Sequence, residues 1–134
     1  MRLWIGVLLF CVIGHTEVAI AGDSFSSVSA GPSVKAWNYA GYTKDFVIND
    51  HCTLYVTGGL GTILFGGGAA WYGNGYDESG FVAALAAGIL GYHGGLAYQW
   101  KTEEHSYLSL GVTYGMYFIQ YEGFLPVLSY EYRF

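Results

Sequence analysis

The clearest pattern in the chain is an alternation of apolar and polar residues over its last segment, residues 124–134. One face carries leucine and aromatic side chains and the other carries mostly polar ones. The first face is Leu128, Tyr130, Tyr132 and Phe134, and the second is Val127, Ser129, Glu131 and Arg133. This period of two is typical of a β-strand between two different environments. A dense aromatic face is a liability in water but is stable against lipid, so the pattern predicts a membrane strand with a polar interior behind it.

The same alternation occurs in two earlier segments. Over residues 107–118 the apolar face is Leu108, Leu110, Val112, Tyr114, Met116 and Phe118, with small or polar residues such as Thr113 between them. A strand of about 11 residues tilted by about 45° crosses a bilayer. Over residues 92–101 the apolar face is Tyr92, Leu96, Tyr98 and Trp100, and the opposite face carries His93, Gln99 and Lys101. We therefore expect Gln99, Lys101, Thr113, Glu131 and Arg133 to face a lumen.

Extending the pattern along the chain predicts an all-β fold, a small antiparallel transmembrane β-barrel of about eight strands. The predicted strands cover residues 25–37, 42–49, 53–60, 62–72, 79–89, 92–101, 107–118 and 124–134. In the first of them we expect a bulge or a strand end at Pro32, which is unfavourable inside a sheet. Between the strands, residues 38–41 read as a loop and residues 120–123 as a turn. An even strand number returns both ends of the barrel chain to the same side. The mature chain is too short to hold a plug or receptor domain. Because side chains just fill an eight-stranded barrel, we also expect no general diffusion pore.

A helical membrane hairpin is the competing architecture. Residues 53–72 carry no charge, and residues 80–91 are apolar and rich in alanine. Two glycine-rich helices over residues 54–72 and 79–100 would pack through small residues. Six glycines within residues 53–72 disfavour the first helix, at about 1 kcal/mol each.

The first 21 residues have the features of a secretory signal peptide. Arg2 supplies the positive charge, residues 3–13 are a short apolar run, and Ala19-Ile20-Ala21 is a small-x-small cleavage pattern. The sequence thus predicts a signal peptide at residues 1–21, a mature barrel at residues 22–134, and a Gram-negative cell.

The terminal segment resembles the closing strand of bacterial outer-membrane β-barrels, which ends in phenylalanine. The resemblance implies that the cell outer membrane is the location, with membrane lipid and lipopolysaccharide as contacts. It also implies that the barrel assembly machinery reads Leu128, Tyr130, Tyr132 and Phe134. The expected role is then structural, in the envelope or at its surface, and deletion of Phe134 should impair assembly more than stability.

Composition agrees with this class. Charged residues make up 11% of the 134-residue chain, against about 25% in soluble domains, and there are 13 tyrosines and 21 glycines. The net charge is −5 and the basic residues are scattered, which argues against nucleic acid as a partner. Removal of the leader would leave Cys52 without a second cysteine.

His51, Asp77 and Ser79 are the residue types of a Ser–His–Asp acyl-transfer site. This set has a faint resemblance to the lipid A palmitoyltransferase barrels, which implies an acyltransferase as the alternative function. Glu78 separates an Asp–Ser pair that is adjacent in that family, and the predicted strand order puts Asp77 on the periplasmic side. No metal site and no cofactor is expected, because neither a ligand spacing nor a phosphate loop is present.

Overall fold

A computed structural model describes residues 24–61 and 64–134 as a closed antiparallel barrel. Its strands are β1 Ser24–Ala30, β2 Asn38–Asn49, β3 Cys52–Gly61, β4 Phe65–Tyr72, β5 Gly80–Gly88, β6 Gly91–Lys101, β7 Ser106–Tyr117 and β8 Tyr121–Arg133. Each strand pairs with the next, and β8 pairs with β1. The eight-stranded all-β prediction is confirmed. The helical hairpin is wrong, because its residues form β3 to β6.

No helix within residues 24–61 and 64–134 is long and apolar enough to cross a membrane. The predicted signal peptide at residues 1–21 lies outside the described residues.

The inward and outward faces follow the alternation in the sequence. On the apolar faces of residues 108–114 and 128–134, every alternate residue is exposed on the outer surface: Leu108, Leu110, Val112, Tyr114, Leu128, Tyr130, Tyr132 and Phe134. Of the expected lumen residues, Gln99, Thr113, Glu131 and Arg133 are buried, and Lys101 is half-buried at the end of β6. The register Tyr107↔Glu131 and Leu108↔Tyr130 keeps the two sets on opposite faces across β7 and β8.

The first strand ends at Ala30, close to the strand end or bulge expected at Pro32, so the predicted range 25–37 is too long. Residues 31–37, called the interior segment here, leave the wall, and Val34, Lys35 and Ala36 become buried inside the barrel. Gly31 makes this turn with a φ of +87°, and a Cβ there would lie 2.3 Å from the carbonyl oxygen of Leu128. A residue with a side chain would therefore clash with β8. This short segment therefore fills part of the lumen, which the strand alternation did not predict.

Two predicted connections are wrong as well. Residues 38–41, expected as a loop, begin β2, where Ala40 pairs with Leu60. The last turn covers residues 118–120, and β8 already begins at Tyr121, which pairs with Tyr117. Phe118 and Ile119 adopt positive φ angles of 54° and 59°. Such angles normally select asparagine or glycine, so the residue types gave no turn signal.

The β1–β8 seam is short. β1 pairs with β8 through Tyr130–Arg133, with two further backbone hydrogen bonds between Ser26 and Phe134, and the interior segment lies next to the earlier part of β8. Pro126 suits this unpaired edge because proline has no backbone N–H to satisfy. The indole Nε1 of Trp37 donates to the Pro126 carbonyl oxygen at 3.1 Å. The interior segment thus covers the edge that β1 leaves open.

The two ends of the barrel differ. We call the end where β1 starts and β8 finishes the terminal end; it also carries the turns at residues 50–51, 73–79 and 102–105. The opposite end, the tip end, carries the turns at residues 89–90 and 118–120 and the entry to the interior segment.

Candidate functional site: the filled barrel interior

Four charged side chains alternate in sign inside the barrel. Lys35 Nζ lies 2.7 Å from Asp45 Oδ1 and 3.9 Å from Glu131 Oε1. Arg133 Nε donates to the same Glu131 oxygen at 2.7 Å. Each of the four side chains is about one-tenth exposed or less. Two cations and two carboxylates neutralise one another, as buried charges require.

The positions of these charges follow from the alternation and from the interior segment. Glu131 and Arg133 are two residues apart in β8, so both point inward. Asp45 faces inward from β2, where Thr53 of β3 donates to its Oδ2 at 2.8 Å. Lys35 reaches the lumen because the interior segment delivers it. The cluster therefore ties the wall to the segment that fills it.

Arg133 has every side of its guanidinium occupied. Its Nη2 donates to Gln99 Oε1 at 3.0 Å, and its Nη1 donates to the carbonyl oxygen of Tyr76. The guanidinium carbon lies 3.8 Å from the ring centroid of Tyr107 and 4.7 Å from that of Phe25. These cation–π contacts add to the hydrogen bonds. Arg133 is thus a structural link between strands.

Two further hydrogen bonds hold the interior segment. The Tyr55 hydroxyl donates to the Lys35 carbonyl oxygen at 2.6 Å. The backbone N–H of Trp37 donates to His93 Nε2 at 3.1 Å, and the His93 ring stacks on Tyr117 at 5.9 Å. A neutral ring that accepts at Nε2 carries its proton on Nδ1. His93 lies on the lumen face, as predicted, and its ring accepts a hydrogen bond from the interior segment.

The three residues predicted for acyl transfer all lie at the terminal end, each with its own partner. His51 Nδ1 is 2.8 Å from the Tyr72 carbonyl oxygen. Ser79 Oγ accepts the backbone N–H of Lys101 at 2.9 Å. No hydrogen bond joins any two of His51, Asp77 and Ser79 in the described part of the chain. The acyl-transfer set stays a prediction.

Asp77 belongs to a shallow cleft of about 310 Å³ at the terminal end, which Phe25, His105 and Tyr107 also line. The hydroxyl of Tyr107 donates to Asp77 Oδ1, and Lys101 Nζ lies 3.3 Å from the same oxygen. The Tyr107 hydrogen bond, followed by Lys101, holds the pKa of Asp77 below its usual range. The carboxylate form is therefore the one that this cleft stabilises.

Replacing Tyr107 with phenylalanine is expected to raise the pKa of Asp77 towards its usual value while keeping the ring against Arg133. A lowered folded-state pKa stabilises the protein above the unfolded pKa of about 3.9, and this contribution is lost as the pH falls through the folded value. The free energy of unfolding of the variant should thus fall at pH 7, and by less at pH 3. Because the Asp77 carboxylate is largely exposed to solvent, the loss at pH 7 should be no more than about 1 kcal/mol. Urea unfolding at both pH values measures this, and an equal loss at both would contradict the assignment.

Comparisons with known protein families, with curated proteins and with solved structures give no match to this chain. The interior network is therefore assigned from its own geometry. Sequence reasoning missed Lys35 and Asp45 as a pair, because Lys35 fell within a predicted strand. A lone lysine beside Pro32 and Gly31, both strand breakers, was the available signal.

Proposed function

We propose that this chain is an integral outer-membrane β-barrel protein with a structural role in the cell envelope of a Gram-negative bacterium. The observation that supports this proposal most is the distribution of side chains, which is the reverse of that in water-soluble proteins. The interior buries polar groups, among them Thr43, Asp45, Thr57, Gln99 and Arg133. The outer surface exposes large apolar side chains all around the barrel. Such a surface fits hydrocarbon and not water.

The order of side-chain types along the outer surface supports a bilayer. On β6 and β7 the aliphatic residues Leu96, Leu110 and Val112 form a middle band. Exposed aromatic residues lie towards each end of it: Tyr92, Tyr114 and Phe124 on one side, and Trp100, Tyr130 and Tyr132 on the other. Aromatic girdles at both interfaces are typical of transmembrane barrels.

The last strand supports delivery by the barrel assembly machinery. Leu128, Tyr130, Tyr132 and Phe134 all point outward and are exposed. In the assembled protein the same face would contact membrane lipid and lipopolysaccharide. Such a strand can therefore serve as a recognition segment before closure and as a lipid contact afterwards.

Expression of the full chain in a Gram-negative cell tests the proposal. We expect the protein to fractionate with the outer membrane, to give a strand spectrum by far-UV circular dichroism in detergent, and to migrate differently on a gel before and after boiling. Only a closed barrel that resists detergent shows the mobility change. Recovery in the soluble fraction, with no change on boiling, would contradict the proposal.

The filled interior leads to a second expectation. Planar bilayers containing the wild-type protein should show no steady ion conductance, because the interior segment and the charge cluster occupy the lumen. Replacing Val34, Lys35 and Ala36 together by glycine should produce conductance, since it removes the side chains that fill the lumen and the partner of Asp45. A matched triple-glycine change at the exposed residues Glu103, Glu104 and His105 should not. Steady conductance of the wild-type protein would contradict the closed lumen, and a Val34, Lys35 and Ala36 variant without conductance would contradict the role of the interior segment in closing it.

A further inference from the structure

The two ends of the barrel differ in the chemistry of their turns. At the terminal end the turns contain Asp50, His51, Asp77, Glu78, Glu103, Glu104 and His105. At the tip end, the turn at residues 89–90 is Ile-Leu and the turn at residues 118–120 is Phe-Ile-Gln. Leu64, also at this end, is exposed. The described turns of the terminal end are therefore charged, and the turns at residues 89–90 and 118–120 of the tip end are mostly apolar.

The apolar tip residues are exposed, and the backbone is strained to hold two of them there. Ile89 is 63% exposed and Ile119 is 65% exposed. Phe118 and Ile119 occupy the left-handed region, which β-branched and bulky residues rarely adopt. Asparagine and glycine would form this turn with less strain. Strain of this kind points to a use for the side chains.

The tip residues form one connected surface. The N–H of Ile119 donates to the carbonyl oxygen of Leu90 at 2.9 Å, which joins the two turns. Exposed Tyr92 and Phe124 continue the same apolar surface down the outer face of the wall. Because the tip surface is continuous with the apolar outer face of the wall, the same partner should contact both. Hydrocarbon chains of lipids can do so.

We infer that the tip end lies at the edge of the hydrocarbon layer, with Ile89, Leu90, Phe118 and Ile119 in contact with lipid acyl chains, and that the turns at residues 89–90 and 118–120 do not extend into water beyond it. This rests on the proposed membrane location and adds the orientation and depth of the barrel. Glu122 limits the depth, because its exposed carboxylate lies beside the turn at residues 118–120 and needs the headgroup layer. The charged terminal end then faces water.

Site-specific fluorescence quenching in vesicles tests the inference. The full chain carries Cys11→Ser and Cys52→Ala, together with one new labelled cysteine at Ile119, Ile89, Leu110 or Glu104. Leu110 in the middle of the belt is the control for lipid contact, and Glu104 in the terminal-end turn is the control for water. Phospholipids with brominated acyl chains quench a label in hydrocarbon, and iodide quenches a label in water.

We expect the labels at Ile119 and Ile89 to respond to brominated lipid at least about threefold more strongly than the label at Glu104, and to be shielded from iodide as at Leu110. Tip labels that behave like the Glu104 label, with Leu110 quenched by lipid, would overturn the inference and leave the membrane proposal standing. A Leu110 label that iodide reaches and lipid does not would overturn both.

A second variant separates lipid contact from folding. Phe118→Asn with Ile119→Gly gives the turn the residue types that its φ angles favour and removes both apolar side chains. The boiled and unboiled gel lanes in detergent should still show a closed barrel, while the fraction that inserts into vesicles should fall several-fold. Insertion equal to that of the wild type would overturn the lipid role of these side chains.

Discussion

Asp45→Ala is expected to lower the free energy of unfolding by about 3–5 kcal/mol, since it leaves one member of a buried ion pair without its partner. Of its two carboxylate partners Lys35 would keep the more distant, Glu131 at 3.9 Å, and Thr53 would lose its acceptor. Urea titration of the detergent-refolded protein, followed by the gel mobility of the closed barrel, measures the loss. The interior segment should also become more accessible to protease.

Two controls make the result specific to the buried pair. Glu122→Ala removes an exposed carboxylate from the outer face of the barrel and should change stability by no more than about 0.5 kcal/mol. The double variant Lys35→Met, Asp45→Leu removes both charges at once, and apolar replacement of a buried pair is often close to neutral. It should therefore recover most of the stability that Asp45→Ala loses. An alanine variant as stable as the wild type would show that the pair does not hold the segment.

Phe134→Ala is expected to reduce the amount of barrel in the outer membrane several-fold while changing the stability of the folded protein by only about 1 kcal/mol. The ring is 63% exposed and has only distant ring contacts, at 6.4 Å, with Tyr132 and Tyr42. The substitution keeps the paired backbone bonds of residue 134 with Ser26, at 3.2 and 2.8 Å, which deletion would remove. It thus separates recognition of the side chain from closure of the seam.

The matched control is Phe124→Ala in the same strand. Phe124 is 68% exposed and contacts Tyr114 at 4.8 Å, so its loss should affect stability at least as much. It lies outside the four alternate residues that resemble the recognition segment, so its outer-membrane yield should stay normal. Immunoblots of membrane fractions give the yields, and urea unfolding gives the stabilities. Equal yields for the two variants would contradict a recognition role for Phe134.

The chain by itself determined the strands and the direction in which most side chains point. Side chains alternate along a strand with a period of two, and in this protein the two faces meet opposite environments. Leu108, Leu110 and Tyr130 were therefore expected outside, and Gln99, Thr113 and Glu131 inside, and each lies where the pattern predicts. A local pattern suffices for this because the alternation of apolar and polar residues within one strand already shows which side chains face outward and which face inward.

Only the tertiary structure decided which lumen groups meet and where the interior segment goes. Lys35 and Asp45 are ten residues apart, while Gln99 and Arg133 are 34 apart and Trp37 and His93 are 56 apart. Such pairs depend on the register of every strand between them around the closed wall, and no local pattern contains that register. The sequence did not predict the inward turn at Gly31 for a related reason. Glycine is required there because the backbone of Leu128 in β8 lies close by, and Leu128 is distant in the sequence.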